Sequence, residues 1–213
     1  MITDEAVERY AEAHTTPPPP HLVRADEDTR ATLRAPGMMV GPLEGRFLEL
    51  LVYARGAARV LEIGTFSGYS ALAMAAGLAA GGRITTCEVD PVHAEAAQRH
   101  IDDSPYADRI EIKLGPALST IGELEGPFDV VFIDADKTNY AGYLDAVLPK
   151  LADRGVVAVD NTLWSGRVVA DGAGGDDADT AALRAFNERV RADPALVAVM
   201  LPVRDGVTLI RKA

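Results

Sequence analysis

The stretch Val60-Leu61-Glu62-Ile63-Gly64-Thr65-Phe66-Ser67-Gly68-Tyr69-Ser70 decides the fold of this chain. Its first four residues form a mostly apolar run that indicates a buried strand, and Gly64 and Gly68 permit a tight turn before a helix that begins near Ser70. Strand-like and helix-like patterns then alternate along the chain, as they do in β-α-β units. The stretch therefore predicts the first strand and helix of an α/β domain with a mostly parallel sheet.

Seven strands are expected in this domain, at residues 60–63, 84–88, 110–114, 130–134, 156–160, 195–202 and 206–211. The connection between the last two strands is too short for a parallel crossover, so they should form an antiparallel hairpin at the edge of the sheet. The length favours one domain, residues 1–213, in which a helical cap at residues 1–55 precedes the α/β core at residues 56–213.

Helical patterns are predicted at residues 3–14, 26–33, 42–55, 140–151 and 180–192, and also from Ser70 and from Pro91 onward. The helix at residues 42–55 should bury the apolar residues that recur at helical spacing, which are Leu43, Phe47, Leu50, Leu51 and Ala54. The prolines at residues 17–20 predict an extended connector, because proline cannot continue a helix. The Gly- and Asp-rich residues 171–179 predict a surface loop.

Composition narrows the class of function. The formal net charge is -11 and the sequence pI is about 4.8, which disfavours nucleic acid and anionic membranes as partners and favours small-molecule chemistry. The single cysteine, Cys87, lies within a predicted strand, where ordinary packing is expected, and it cannot form a disulfide within the chain. The N-terminus lacks a basic and apolar leader, and no run of about 18 apolar residues occurs, so a cytoplasmic location is expected.

Two predicted strands end in hard oxygen ligands. Phe132-Ile133-Asp134-Ala135-Asp136-Lys137 and Val159-Asp160-Asn161 both pass directly from an apolar run to carboxylate and amide side chains. Because the carboxyl ends of parallel strands meet at one edge of an α/β sheet, Asp134 and Asp160 should lie close together. Asp160-Asn161 alone would more often be a turn, but its pairing with Asp134 favours a divalent cation.

The first strand end favours a nucleoside ligand with a positive charge. Glu88 closes the following strand, where it could bind a ribose hydroxyl. The glycine spacing is not G-x-G-x-x-G, and the turn holds no basic residue for a phosphate, so a dinucleotide is disfavoured. Glu62 would attract an amino or sulfonium group and repel phosphate, which favours S-adenosylmethionine. The competing interpretation of the glycines alone is a tight strand-to-helix turn that binds no ligand.

The chain resembles the cation-dependent class I S-adenosylmethionine O-methyltransferases of the catechol and caffeoyl-CoA type. The resemblance runs from about Met38 to Arg211. It is carried by Glu44-Gly45-Arg46-Phe47-Leu48, Leu61-Glu62-Ile63-Gly64, Gly68-Tyr69-Ser70, Gly115-Pro116-Ala117, Phe132-Ile133-Asp134-Ala135-Asp136-Lys137, Asp160-Asn161-Thr162-Leu163-Trp164 and Leu201-Pro202. It implies a Rossmann-like fold with extra N-terminal helices, and a homodimer. The chain departs from the family pattern at Arg154-Gly155 and in the loop at residues 168–179, which leaves the substrate open.

The resemblance also implies roles for individual residues. The cofactor contacts would be the Val40 backbone, Glu62, Gly64, Thr65, Ser70, Glu88, Ala117 and Asp134. The metal, Mg²⁺ or another divalent cation such as Ca²⁺ or Mn²⁺, would be held by Asp134, Asp160 and Asn161. Lys137 would be the catalytic base beside Asp134. The implied reaction is methylation of one hydroxyl of a vicinal dihydroxy aromatic, which could occupy the cation's open positions.

Several residues keep more than one interpretation. Asp136 is expected to support the metal site or to cap a helix, rather than to bind metal directly. Trp164 could form a wall of the substrate pocket or could be an ordinary core residue. The four histidines, His14, His21, His93 and His100, are expected to be solvated and away from the strand ends.

Two other functions remain open from the sequence. One is an NAD-linked oxidoreductase on a similar sheet, which the glycine spacing and Glu62 disfavour. The other is a nonenzymatic nucleoside-binding protein, which would have no need of Asp134, Lys137, Asp160 and Asn161 together.

Overall fold

Three helices precede the sheet in the computed structural model, which describes residues 4–169 and 177–213. They are α1 (Glu5–Ala13), α2 (Pro20–Thr32) and α3 (Gly41–Arg55). Asp4 caps α1 as expected, since its carboxylate accepts a hydrogen bond from the Ala6 amide at 2.8 Å. The expected connector at residues 17–20 is one residue too long, because Pro20 occupies the first position of α2, where its missing N–H costs nothing.

The sheet has the seven strands that the sequence predicts. They are β1 (Arg59–Ile63), β2 (Arg83–Glu88), β3 (Ile110–Leu114), β4 (Phe128–Ile133), β5 (Leu151–Val159), β6 (Leu196–Leu201) and β7 (Val207–Lys212). The spatial order is β3-β2-β1-β4-β5-β7-β6. The first five strands pair in parallel, and β7 is antiparallel to both β5 and β6. The predicted fold class, including the antiparallel C-terminal hairpin, is confirmed.

Five further helices connect the strands, and one of them was not predicted. They are α4 (Tyr69–Ala76), α5 (Pro91–Asp102), α6 (Ala117–Glu123), α7 (Tyr140–Val147) and α8 (Ala178–Ala192). The unpredicted helix is α6, which has seven residues and buries only Ile121, so it carries no apolar periodicity. The helix expected to reach residue 151 ends at Val147, because a short 3₁₀ turn, Leu148–Lys150, contains Pro149.

The core lies on both faces of the sheet, because successive strand residues point to opposite sides. Val60 and Phe132 belong to a cluster that packs against α3 and α4, whereas Leu61 and Val131 belong to a cluster that packs against α7 and α8. Cys87 is buried in the second cluster, and burial raises its pKa to about 12. Cys87 is therefore a packing residue, as expected.

The apolar pattern predicted for α3 describes only part of its buried face: Phe47 and Leu51 are partly buried against the core, but Leu50 is not. Leu50 is 56% exposed. The fully buried residues of α3 are Gly41, Glu44, Gly45, Leu48 and Val52. An acidic residue therefore lies on a helix face that is otherwise packed against the core. No helix among residues 4–169 and 177–213 is both long and apolar enough to cross a bilayer. The predicted surface loop at 171–179 lies, as far as residue 176, outside the described residues.

Candidate cofactor and metal site

A cavity of about 920 Å³ opens at the carboxyl ends of β1, β2, β4 and β5. It lies where the strand order reverses between β1 and β4, the position at which open α/β sheets bind ligands. Most of the predicted site residues line it, and these are Val40, Gly64, Thr65, Ser70, Glu88, Ala117, Asp134, Lys137, Asp160, Asn161 and Trp164. Glu62 is the exception, since it is completely buried and does not line the cavity. The roles predicted for the individual residues of this set, Glu62 included, stay predictions.

The turn after β1 brings two strand ends into close contact. Gly64 has a φ of 102°, and a Cβ added there would lie 1.9 Å from the Asp134 carbonyl oxygen. Phe66 adopts a left-handed conformation with a φ of 48° and donates its amide to Glu88 Oε2 at 2.7 Å. Glu88 Oε1 accepts the two backbone amides that follow it, each at 2.9 Å. Glu88 thus orders both strand ends and keeps acceptor capacity on Oε2.

Glu62 is a buried acid whose charge is only partly stabilised. Burial raises its pKa to about 8, against the lowering effect of hydrogen bonds from Ser70 and Thr86. Thr86 donates its hydroxyl to Glu62 Oε2 at 2.5 Å. Glu62 Oε1 has no hydrogen-bond partner among the described residues. A ligand that brings a positive charge or N–H donors would stabilise the ionised form.

Asp134 and Asp160 line the other half of the cavity, and the buried Glu44 lies near them, so that the three carboxylates form a cluster. Burial, and next the charge of Asp134, raises the pKa of Asp160 to about 7. Glu44 is 1% exposed, and burial followed by the charges of Asp160 and Asp134 holds its pKa well above the usual range. Neither oxygen of Glu44 has a hydrogen-bond partner among the described residues, and Arg204 Nε lies 3.7 Å from Glu44 Oε2. The cluster therefore carries more negative charge than its surroundings neutralise.

The donor set fits a hard divalent cation. Asp134, Asp160 and Asn161 supply carboxylate and amide oxygens, which Mg²⁺ prefers over nitrogen and sulfur ligands. Asn161 donates its Nδ2 to Asp160 Oδ2 at 3.0 Å, so its amide oxygen is the atom that a cation would use. Among residues 4–169 and 177–213, no group of three or more His, Cys, Asp or Glu side chains is arranged to hold a metal. The candidate site is therefore a partial shell with room for other oxygen ligands.

Lys137 lies between this cluster and an aromatic wall. Its Nζ donates to Asp134 Oδ1 at 3.0 Å and to the Tyr140 hydroxyl at 2.7 Å. The Tyr140 hydroxyl in turn donates to the Asp160 backbone carbonyl at 3.1 Å. The Lys137 side chain is 10% exposed, and its Nζ lies 5.7 Å from the Trp164 ring centroid. These contacts hold the long Lys137 side chain in one place at the edge of the cavity.

Trp164 lines the cavity and also packs against the core. Its position is therefore compatible with a wall of the substrate pocket and with a core residue. It adopts a left-handed conformation with a φ of 48°. Its Nε1 is buried without a hydrogen-bond partner among the described residues. The Arg167 guanidinium lies 4.6 Å from the ring centroid. A strained backbone and an unused buried donor are features that a bound ligand could explain.

Asp136 holds two neighbouring side chains, and its expected support of a metal site stays a prediction. Its carboxylate accepts hydrogen bonds from the Tyr143 hydroxyl and from Asn139 Nδ2, the latter at 2.5 Å. The bond with Asp136 raises the pKa of Tyr143, in addition to the larger effect of burial. Asp136 makes no side-chain capping bond to the 3₁₀ turn that follows it.

The chain is similar in sequence and in fold to known methyltransferases. A family profile described as O-methyltransferase matches residues 17–213. A catechol O-methyltransferase of Mycobacterium tuberculosis is 42% identical over 168 residues, which cover 78% of this chain and 74% of that protein. Caffeoyl-CoA O-methyltransferase 1 of Eucalyptus globulus is 36% identical over 185 residues, which cover 79% of this chain and 72% of that protein. The SAH-bound Podospora anserina methyltransferase PaMTH1 superposes with a TM-score of 0.90 at 32% identity, over 98% of this chain and 94% of that one.

The chain belongs to the O-methyltransferase family. It is an S-adenosylmethionine-dependent methyltransferase, and the oxidoreductase and nonenzymatic alternatives are wrong. The predicted resemblance is confirmed.

Two charged residues of the methyltransferase site were not predicted. Glu44 belongs to a recognised family motif, but its place on the buried face was missed because the neighbouring leucines suggested another face. The spacing of Glu44, Leu48 and Val52 by four residues is the signal that could have identified it. Arg204 lies in the β6–β7 hairpin with a φ of 48°, lines the cavity and donates to the Val40 carbonyl oxygen. The family resemblance at this hairpin covers only Leu201-Pro202, so it gave no indication that Arg204 contacts Val40.

The expectation for the histidines is wrong at three positions. His21 is half-buried, and its Nε2 is buried without a hydrogen-bond partner among the described residues. His93 lines the cavity, and its ring centroid lies 4.8 Å from that of Phe66. His100 is 8% exposed rather than solvated. His93 and His100 lie on α5, where apolar residues are few and the sequence suggested a surface helix.

We predict that Glu62 ionises when the methyltransferase binds S-adenosylmethionine. With a pKa of about 8, most of the free protein carries a protonated Glu62 at pH 7, whereas a bound cation favours the carboxylate. Binding at pH 7 should therefore release up to about one proton. Calorimetry in buffers with different ionisation enthalpies measures this release.

Glu62→Gln should abolish the proton release and raise the Kd on the order of 10- to 100-fold, about 1.4–2.7 kcal/mol. The exposed Glu111→Gln variant is the matched control. Unchanged proton release in Glu62→Gln would show that another group titrates.

Proposed function

We propose that this methyltransferase uses a divalent cation to methylate one hydroxyl of a vicinal dihydroxy aromatic. The observation that carries the proposal is the cluster of Glu44, Asp160 and Asp134 beside Lys137, in which burial, followed by the neighbouring carboxylate charges, raises the pKa values of Glu44 and Asp160. A divalent cation would neutralise this charge, and two adjacent hydroxyls would complete its oxygen shell. The alternative use of the same cluster, as a purely structural acid network, leaves the orphaned oxygens of Glu44 unexplained.

Asp134, Asp160 and Asn161 would hold the cation. When bound, the cation would stabilise negative charge on the reacting hydroxyl oxygen. Asp160 would serve in its ionised form, and its backbone and side-chain partners already orient it. The Asn161 amide donates to Asp160 Oδ1 at 2.6 Å, and the Asp160 amide donates to the Ile133 carbonyl at 3.0 Å.

Lys137 would accept the proton of the reacting hydroxyl. Its amine is held by Asp134 and Tyr140 at the edge of the cavity, so the acceptor would not need to reach into the core. A positioned amine of this kind contributes typically 10²- to 10⁴-fold to a proton transfer. Trp164 would form a wall against the aromatic ring, because its indole combines a large flat surface with an unused N–H.

The charge of the cavity favours a compact acceptor that is not polyanionic. Seven Asp and Glu side chains line its described part, against two basic side chains, Lys137 and Arg204. Both bases already contact acids, Asp134 and Glu44. A coenzyme A thioester would bring several phosphate charges to this mouth, whereas a simple catechol brings none. Among the named relatives, the proposal therefore follows the catechol enzyme rather than the caffeoyl-CoA enzyme.

The direct test is methyl transfer from labelled S-adenosylmethionine to catechol, caffeate and caffeoyl-CoA, with Mg²⁺ and then with EDTA. We expect transfer to the small catechols, loss of activity with EDTA, and recovery with Mg²⁺.

Because Asp160 has a pKa of about 7 and a metal binds its ionised form, the apparent Mg²⁺ affinity should rise between about pH 6 and pH 8.

Asp160→Asn should weaken Mg²⁺ binding by about 100-fold or more, measured by titration calorimetry without acceptor. Asp153→Asn is the matched control, since Asp153 is an exposed residue near the opposite end of β5. Full activity in EDTA would remove the cation from the mechanism and leave the methyltransferase assignment intact.

A pair of Lys137 variants separates proton transfer from charge. Lys137→Ala should lower kcat by about 10²- to 10⁴-fold, because the hydroxyl loses its proton acceptor. Lys137→Arg puts a permanent positive charge at the same place and cannot accept a proton, so it should be almost as slow. Lys113→Ala, an exposed lysine on β3, should keep normal turnover. Recovery of most activity in Lys137→Arg would assign Lys137 an electrostatic role instead.

We also propose a homodimer formed through the β6 edge. This strand is at the end of the sheet, and Val197, Val199 and Met200 are 45%, 50% and 38% exposed. An unpaired apolar edge strand favours association. Sedimentation should give twice the 22.6 kDa chain mass. Val199→Lys should shift the protein toward the monomer, whereas the Val92→Lys control on exposed α5 should not.

The other expectations of cellular context stay predictions. A cytoplasmic location is consistent with a single buried cysteine, Cys87. The absence of nucleic-acid and membrane partners is expected from the acidic composition.

A further inference from the structure

His100 joins an N-terminal helix to the cofactor-binding turn. It lies on α5 and is 8% exposed. Its Nδ1 lies 2.9 Å from the Ser67 backbone carbonyl oxygen, within the turn after β1. Its Nε2 lies 2.8 Å from Asp28 Oδ2 on α2. One imidazole ring therefore bridges two segments that are far apart in the sequence.

Both ring nitrogens of His100 face hydrogen-bond acceptors. A backbone carbonyl oxygen only accepts hydrogen bonds, and an ionised carboxylate also only accepts. The bond from His100 lowers the pKa of Asp28, which favours the carboxylate form. The ring is therefore the donor that connects the Asp28 carboxylate and the Ser67 carbonyl.

The bridged turn is a strained part of the cofactor site. Ser67 lines the cavity and lies between Phe66, with a φ of 48°, and Gly68, with a φ of 80°. On one side, Glu88 accepts the Phe66 amide at 2.7 Å. On the other side, His100 donates to the Ser67 carbonyl. A left-handed phenylalanine persists only where surrounding contacts hold it, and these two side chains provide them.

We propose that His100 is a positioning residue, which bridges Asp28 and the Ser67 carbonyl and so holds the turn around Ser67 in the conformation that binds the cofactor. Loss of the ring removes both contacts and weakens this hold. The contribution of His100 is therefore to cofactor affinity. It acts on binding and leaves the methyl-transfer step itself unchanged.

The charged groups around His100 leave Asp28 as its partner. From α2, Asp28 faces the ring, while Arg24 is paired with Asp103 at 2.7 Å. From α5, Arg99 also reaches Asp28 at 3.3 Å and lies 3.7 Å from Glu95. The packed helix α4 contributes only Tyr69 as a titratable side chain, and the turn at residues 64–68 contributes none. Asp28 is thus the anion in direct contact with the His100 ring, and Arg99 is the cation that competes for it.

The test compares wild type with His100→Ala and His100→Gln by calorimetric titration of S-adenosylhomocysteine. Alanine removes both contacts of the ring, whereas the glutamine amide can still donate hydrogen bonds. We expect the Kd to rise by about 5- to 20-fold in His100→Ala and to recover partly in His100→Gln, with kcat at saturating cofactor within about twofold in both variants.

A second variant tests the proposal even if the His100 variants fold poorly. Asp28→Asn should weaken binding in the same direction, by about 3- to 10-fold, and the exposed His14→Gln control should change nothing. An unchanged Kd in both His100→Ala and Asp28→Asn, or a fall in kcat at saturating cofactor as large as the loss of affinity, would overturn the proposal.

Discussion

Buried negative charge is the constraint on which the rest of this site depends. Ionised carboxylates are costly to remove from water unless a cation or several hydrogen-bond donors replace it. Glu62, Glu44 and Asp160 are each at least nine-tenths buried, and burial is the first cause of the raised pKa of all three. Without ligands, the protein reduces this cost by holding protons on the acids. A sulfonium at one end and a divalent cation at the other would replace those protons, so ligand charge and proton release are linked.

The sheet register brings the acidic side chains together. Ile63 pairs with Ile133, and Ile133 pairs with Val159, so the three strands end in the same row. The next residues continue this pairing, because the Asp134 amide donates to the Ile63 carbonyl and the Asp160 amide donates to the Ile133 carbonyl. Asp134 consequently raises the pKa of Glu62 on one side and of Asp160 on the other. The cofactor and cation ends are thus electrostatically coupled through one central carboxylate.

The sequence predicted best the elements whose pattern depends only on their own burial, such as the central strands. Continuous apolar runs such as the one in β4 arise because a central parallel strand is buried on both faces, and their ends locate Asp134 and Asp160. Predictions failed where a tertiary contact decided the outcome. Leu50 belongs to an apolar pattern but is exposed, while Glu44 is buried near Asp160 and Asp134. His100 resembled a surface residue because its partners, Asp28 and Ser67, are distant in the sequence.

The N-terminal helices are part of the site rather than a separate cap. Glu44 on α3 faces the acidic cluster, and Arg204 from the C-terminal hairpin donates to the carbonyl of Val40 at the start of the same helix. A Cβ on Gly41 would lie 2.4 Å from Arg204 Nη1, so glycine is needed there for the guanidinium to reach that carbonyl. Segments from both ends of the chain therefore meet at the cavity. Because α2 reaches the cofactor turn through His100, a displacement of the N-terminal helices would disturb both the cation end and the cofactor end of the cavity.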